Sequence, residues 1–199
     1  MKQQDVIAFF DRLAPSWDAE MIRDDRIIGA ILDAAEITCG VSVLDVGCGT
    51  GVLFPDYLNR QVGSLTGIDL SPAMVEIARK KFADSRITVL CGDAAVAAYP
   101  SRFDRCVVYN AFPHFPEPEK LIGHLSAQLL SGGRLTIAHG MSRRAIDAHH
   151  SGTARKVSVG LMEEGKLAEL LRPYFLVDAI VSDEEKYWVS GRKRDDVMP

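Results

Sequence analysis

The chain has 199 residues, 47% hydrophobic and 25% charged, with a formal net charge of −4. That size and apolar content support a packed core without disulfide or metal staples, and exclude a disordered segment. No run approaches the roughly 18 apolar residues of a membrane span; the acidic balance argues against nucleic acid as the main partner, and residues 1–15 lack the pattern of a signal peptide.

Val6, Ile7, Phe9, Phe10 and Leu13 give residues 3–13 a helical spacing that stops before Pro15. Ile27, Ile28, Ile31, Leu32 and Ala35 predict a second helix over about 24–37, so residues 1–40 read as a helical cap. From Val41 onward, apolar β-branched runs alternate with helical stretches. Strands are expected at 42–46, 64–70, 87–91, 105–109 and 134–139, with helices at 52–60, 72–82 and 117–130. Ser71 and Pro72 supply an N-cap and a first helical residue for the 72–82 helix. Ser131-Gly132-Gly133 is expected to stop the next helix and turn into the following strand. Residues 141–160 read as a loop or irregular helix over the sheet edge. After a helix at 165–172, strands at 176–182 and 187–192 are joined only by Asp183-Glu184-Glu185 and its neighbours. That joint is too short for a crossover, so the pair forms an antiparallel hairpin. The expectation is an α/β fold in one domain over 1–199, built on a doubly wound, mostly parallel seven-stranded sheet. Cys39, Cys48, Cys91 and Cys106 show no C-x-x-C spacing and no zinc signature, which points to reduced thiols in a cytoplasmic protein.

The most informative segment is Val43-Leu44-Asp45-Val46-Gly47-Cys48-Gly49-Thr50-Gly51, an apolar strand running into three alternate glycines before a helix. Glycines there let a ligand approach the backbone at the carboxyl end of the strand, or simply make a tight turn. The spacing departs from the dinucleotide fingerprint, because Val52 stands where its last glycine belongs, and no phosphate-loop lysine follows. Asp45 beside the loop suits an ammonium group better than a pyrophosphate. Asp69 ends the second strand about 20 residues on, where a ribose diol is held. Asp93 ends the third, where it can take an adenine amine or close a turn.

These motifs, with Phe103-Asp104 before strand four and Leu130-Ser131-Gly132-Gly133-Arg134-Leu135 before strand five, resemble the ordered motifs of class I S-adenosylmethionine-dependent methyltransferases. Phe10-Asp11-Arg12-Leu13-Ala14-Pro15-Ser16-Trp17-Asp18 resembles the opening of their small-molecule branch, which includes the ubiquinone and menaquinone biosynthesis enzymes, with Trp17 in place of a tyrosine. The resemblance implies a Rossmann-like sheet finished by the C-terminal hairpin, and S-adenosylmethionine as cofactor. It implies that the backbone of Gly47, Cys48, Gly49 and Gly51 runs beneath the methionine part, with Asp45 near its ammonium. It further implies Asp69 on the ribose, Leu70 beside the adenine, Asp93 and Ala94 at the adenine edge, and Asn110 near the methionyl amine. Residues 41–139 then form the cofactor-binding core and 140–199 the acceptor side.

A small-molecule methyl acceptor is expected beyond strands four and five, with Phe10 and Trp17 as a lid. His139 ends strand five, and His149 and His150 follow; they form an acceptor-facing set, a metal site or a polar loop. His114, after strand four, is a further candidate base or a packing residue. The alternative function is a cofactor-binding module without an acceptor of its own, acting as a sensor or partner subunit.

Overall fold

The computed structural model describes residues 1–149 and 157–195, with the side chains of 147–149 left out. Seven strands form one sheet: β1 (Ser42–Val46), β2 (Ser64–Asp69), β3 (Ile87–Cys91), β4 (Phe103–Tyr109), β5 (Leu129–His139), β6 (Phe175–Ser182) and β7 (Tyr187–Lys193). Their order is β3-β2-β1-β4-β5-β7-β6. The first five run parallel, and β7 lies antiparallel between β5 and β6. The expected mostly parallel sheet and terminal hairpin are therefore present. Chain order reverses at β1, which has β2 on one side and β4 on the other. Crossovers leave this point toward opposite edges, and a crevice opens there at the carboxyl ends of the strands.

The helices are α1 (Gln3–Leu13), α2 (Trp17–Glu20), α3 (Asp25–Ala34), α4 (Phe54–Asn59), α5 (Pro72–Lys81), α6 (Pro118–Gln128), α7 (Arg143–His149) and α8 (Glu164–Leu171). Strand alternation sends Cys106 and Val108 to one face and Val107 to the other. On the first face Leu121 and Leu125 of α6 and Leu167 and Leu171 of α8 cover Val46, Ile137 and Val189. On the second, Ile28 and Leu32 of α3, Phe54 and Tyr57 of α4 and Val75 of α5 cover Val43, Leu65 and Val107. Ser71 does cap α5, accepting from the Met74 amide at 3.2 Å.

Three expectations need correction. Helix α3 ends at Ala34, not near residue 37, because Glu36 turns to a φ of +54° and its carboxylate is drawn into an arginine cluster. Arg134 and Arg105 reach that carboxylate at 3.1 and 3.3 Å, and Arg192 joins them. Ser131-Gly132-Gly133 does not turn a helix into a strand: α6 has already ended at Gln128, and the triplet lies inside β5. There Phe103 pairs with Leu129 and Arg105 with Arg134, so the intervening residues bulge, with Gly132 at φ +67°. Finally, α3 belongs to the layer covering the sheet, so the part that caps the crevice is α1 and α2, shorter than residues 1–40.

That cap is held by carboxylates. Asp11 of α1 accepts from the Ser71 hydroxyl at 2.5 Å and the Ala73 amide at 3.2 Å, at the start of α5. Asp18 of α2 accepts from the Thr50 hydroxyl at 2.5 Å and pairs with Lys81 at 2.7 Å. No helix among the described residues is long and apolar enough to cross a membrane.

Arg134, 4% exposed, also forks onto Asp178 at 2.6 and 2.7 Å, so one guanidinium ties the end of α3 to the hairpin. The carboxylates it holds are partly open to solvent, with the Asp178 side chain 45% and that of Glu36 30% exposed, so what its removal costs is the charge-assisted hydrogen bonds. Arg134→Ala should lower stability by about 1.5–3 kcal/mol in urea unfolding; a loss below about 0.5 kcal/mol would show the network to be dispensable.

Candidate functional site

A cavity of about 410 Å³ lies between the carboxyl ends of β1, β2, β3 and β4 and the α1–α2 cap. Its wall takes Asp45, Gly47, Cys48 and Gly49 from the first strand and loop, Asp69 and Leu70 from the second, Asp93 and Ala94 from the third, and Asn110 after the fourth. Phe10 and Trp17 of the cap close it. The structure thus gathers nearly all of the residues implied for the cofactor, together with both lid aromatics.

The loop is shaped by its glycines. Gly47 has a φ of +70°, and a Cβ there would sit 2.5 Å from that of Ala111, so a side chain fails on both counts. Gly49, at φ +54°, turns its open side toward Trp17. Gly51 corrects the expectation: it is not on the cavity wall, and a Cβ there would strike Phe54 and Phe82. It serves packing behind the loop.

Asp69 pins the loop to β2. One carboxylate oxygen accepts from the Gly49 amide at 2.8 Å, the other from the Ser71 amide at 2.8 Å. Each oxygen keeps lone pairs for a ligand hydroxyl. Burial raises the Asp69 pKa against the pull of these backbone bonds. Asp45 is 2% exposed, and burial together with the neighbouring Asp69 charge pushes its pKa up to about 8. The described wall contains no lysine or arginine.

Asp93 closes a turn, the second of the roles considered for it. One oxygen accepts from the Ala95 amide at 2.9 Å and closes a turn, while the other accepts from the Gln3 side chain of α1 at 3.3 Å. Asn110 takes the left-handed conformation at φ +53° and accepts from the Gly140 amide at 3.0 Å.

The histidines separate. His114 is on the wall, its ring 4.9 Å from that of Phe10, with Nδ1 2.6 Å from the Val157 carbonyl oxygen. His139 is not on the wall: it is 2% exposed, its ring 6.0 Å from that of Tyr187 on β7. Alternation puts it on the same face as Leu135 and Ile137, under the α6–α8 layer, which corrects its placement toward an acceptor. His149 ends α7, but its side chain, and all of His150, lie outside the described residues. Sequence reasoning missed Tyr109, Gln3, Met74 and Glu117, all of which line the cavity. A signal for Gln3 existed: with Val6 and Phe10 it shares one face of α1.

Fold and site define a class I S-adenosylmethionine-dependent methyltransferase domain. A family model described as a methyltransferase domain matches residues 43–133. A malonyl-[acyl-carrier protein] O-methyltransferase of Acetivibrio thermocellus is 30% identical over 65% of this chain and 47% of its own. A ubiquinone biosynthesis O-methyltransferase of Xylella fastidiosa is 35% identical over 50% of this chain and 42% of its own. The chain thus spans less than half the length of these curated relatives. Among solved structures, the N-methyltransferase NodS from Bradyrhizobium japonicum, in complex with S-adenosyl-L-homocysteine, superposes with a TM-score of 0.76 at 16% identity, over 96% of this chain and 99% of that one. At that identity the likeness shows the fold.

The donor set fits S-adenosylmethionine. Gly49 has no side chain between the loop backbone and Trp17, and three strand-end carboxylates line the wall in an arrangement that suits a ligand with an ammonium, a ribose diol and an adenine amine. The raised Asp45 pKa gives a test. Its carboxyl binds a proton in the fold up to about pH 8, but only to about 3.8 in the unfolded chain, so folding loses stability as pH rises through that window. Asp45→Asn should remove this slope and gain on the wild type between pH 5 and pH 8 in urea unfolding. Parallel stability curves for the two proteins would contradict the buried, cation-free setting of Asp45.

Proposed function

We propose that the chain transfers the methyl group of S-adenosylmethionine to a small-molecule acceptor. The observation that carries this reading is the trio Asp45, Asp69 and Asp93 around a glycine loop that a cofactor backbone-approach needs open. Bound S-adenosylmethionine supplies a methyl group already activated by its sulfonium. What remains for the protein is to orient both reactants and exclude water. Asp45 holds the ammonium, Asp69 the ribose hydroxyls and Asp93 the adenine amine, with Leu70 and Ala94 flanking the ring. Asn110, held by Gly140, backs the methionine part.

The acceptor lies under the cap beside Phe10, His114, Phe115 and Glu117, all on the cavity wall. His114, rather than His139, is the histidine of this site. Its Nδ1 faces a carbonyl, so the neutral ring carries its proton there and Nε2 is the basic nitrogen. An acceptor hydroxyl or amine that must lose a proton meets a base in that ring. A cavity of about 410 Å³ supports a small acceptor, as does the ubiquinone-biosynthesis name of one curated relative. The division into a cap, a cofactor core over 41–139 and an acceptor side over 140–199 belongs to the same proposal, as does a cytoplasmic location.

Asp69→Ala should weaken S-adenosylmethionine binding by roughly 1–3 kcal/mol in calorimetry, through loss of charge-assisted bonds. Unchanged affinity in a folded variant would refute the ribose assignment. In an acceptor screen, S-adenosylhomocysteine should form in step with a methylated product, and His114→Ala should slow this roughly 10²–10⁴-fold while His139→Ala leaves it near wild type. Tight cofactor binding without turnover on any acceptor would favour a cofactor-binding module instead.

A further inference from the structure

The cavity wall carries four carboxyl groups, Asp45, Asp69, Asp93 and Glu117, and among the described residues no lysine or arginine. The first three sit at or just past strand ends and suit the cofactor. Glu117 lies outside that set, at the start of α6 and in the same stretch of chain as His114 and Phe115. Lys120 reaches it at 3.5 Å with both side chains more than half exposed, a pairing of little strength. S-adenosylmethionine brings one net positive charge, an ammonium and a sulfonium against a carboxylate. Even with Asp45 protonated, Asp69, Asp93 and Glu117 outweigh it, so the loaded cavity stays negative. A cleft of one sign gathers ligands of the other and rejects its own. Aromatic rings add to this pull. Phe10, His114 and Phe115 share the wall, and the His114 ring stands at 84° to that of Phe10, so the two form a corner rather than a stack. Aromatic faces attract cations electrostatically.

We propose that the methyl acceptor is an amine, held as its ammonium between Glu117 and the aromatic corner, and methylated on nitrogen. This rests on the reading that the cavity takes S-adenosylmethionine. Charge separates the amine from the other acceptors. The ammonium passes a proton to Nε2 of His114, so its charge stays inside the cavity. The nitrogen lone pair then forms a bond to the methyl carbon as the carbon–sulfur bond breaks, and the electron pair of that bond stays on sulfur. The positive charge lost from sulfur reappears on the methylated nitrogen, and His114 gives its proton to water. No anion forms at any point. A carboxylate, or a hydroxyl that ionises, brings negative charge beside Glu117 and Asp93 instead, which weakens its binding.

The test loads the protein with S-adenosylhomocysteine and compares two probes of similar size, benzyltrimethylammonium and phenylacetate. Calorimetry should show the cation binding roughly 10-fold tighter or more. Glu117→Gln, at an exposed position, should cut that preference roughly threefold and change affinity for S-adenosylhomocysteine by less than about twofold. With methyl-labelled S-adenosylmethionine and the set phenethylamine, phenethyl alcohol and phenylacetate, label should enter the amine. Phenylacetate binding as tightly as the cation, a preference that Glu117→Gln leaves intact, or label entering the alcohol or the acid in place of the amine would overturn the proposal. Failure of S-adenosylhomocysteine itself to bind would overturn the cofactor reading, and the amine assignment with it.

Discussion

Two carboxylates buried side by side without a cation set the terms for the rest of this molecule. Asp45 and Asp69 lie at the carboxyl ends of adjacent parallel strands, and the Asp69 charge raises the cost of ionising Asp45. Desolvation alone disfavours both charges. Asp69 recovers part of that cost from the amides of Gly49 and Ser71, whereas Asp45, with its pKa near 8, holds its proton at neutral pH. Such a pair is poorly suited to an anionic ligand and well suited to one carrying an ammonium and a sulfonium. The polarity of the site follows from where the strands end.

The fold exists to bring those ends together. Reversal of strand order at β1 opens the crevice, and the β1–β2 register places Asp45 opposite Gly67, two residues before Asp69 at the end of β2. The close pairing of Gly67 with the ring of Phe54 and the thiol of Cys48 allows the loop to pack flat on β2. The cap is fastened to the same structures by acids of its own. Asp11 sits at the start of α5, Asp18 grips the loop and the end of α5, and Gln3 reaches Asp93. Every one of these bonds touches the loop, α5 or a strand end, so cap and cofactor site form one polar network.

Much of this was legible in the sequence because the signals were local. An apolar strand, a run of alternate glycines and an acid at each strand end occupy short windows, and parallel strands place such windows side by side without further information. The hairpin was legible for the same reason, since a short joint permits little else. What failed depended on distant partners. Nothing near Glu36 announces that arginines from β4, β5 and β7 will pull it out of helix. Gly51 belongs to the same glycine run as Gly47, yet Phe54 and Phe82 claim it for packing. His139 stands at the right end of its strand, but the pleat turns it toward Tyr187. Position along a strand is written in the sequence; the face of the sheet depends on register, which is set by the partners.

The site as a whole joins a proton-holding acid, a second acid pinned by backbone amides and an aromatic cap around a cavity of about 410 Å³. The central claim is that a cationic cofactor displaces the proton of Asp45. It is tested most directly by titrating the protein with S-adenosylmethionine calorimetrically at pH 7 in buffers of different ionisation enthalpy. The account predicts binding enthalpies that differ with the buffer in the sense of proton release from the protein, and a difference that vanishes in Asp45→Asn. Binding with the same enthalpy in every buffer, or with proton uptake, would contradict it.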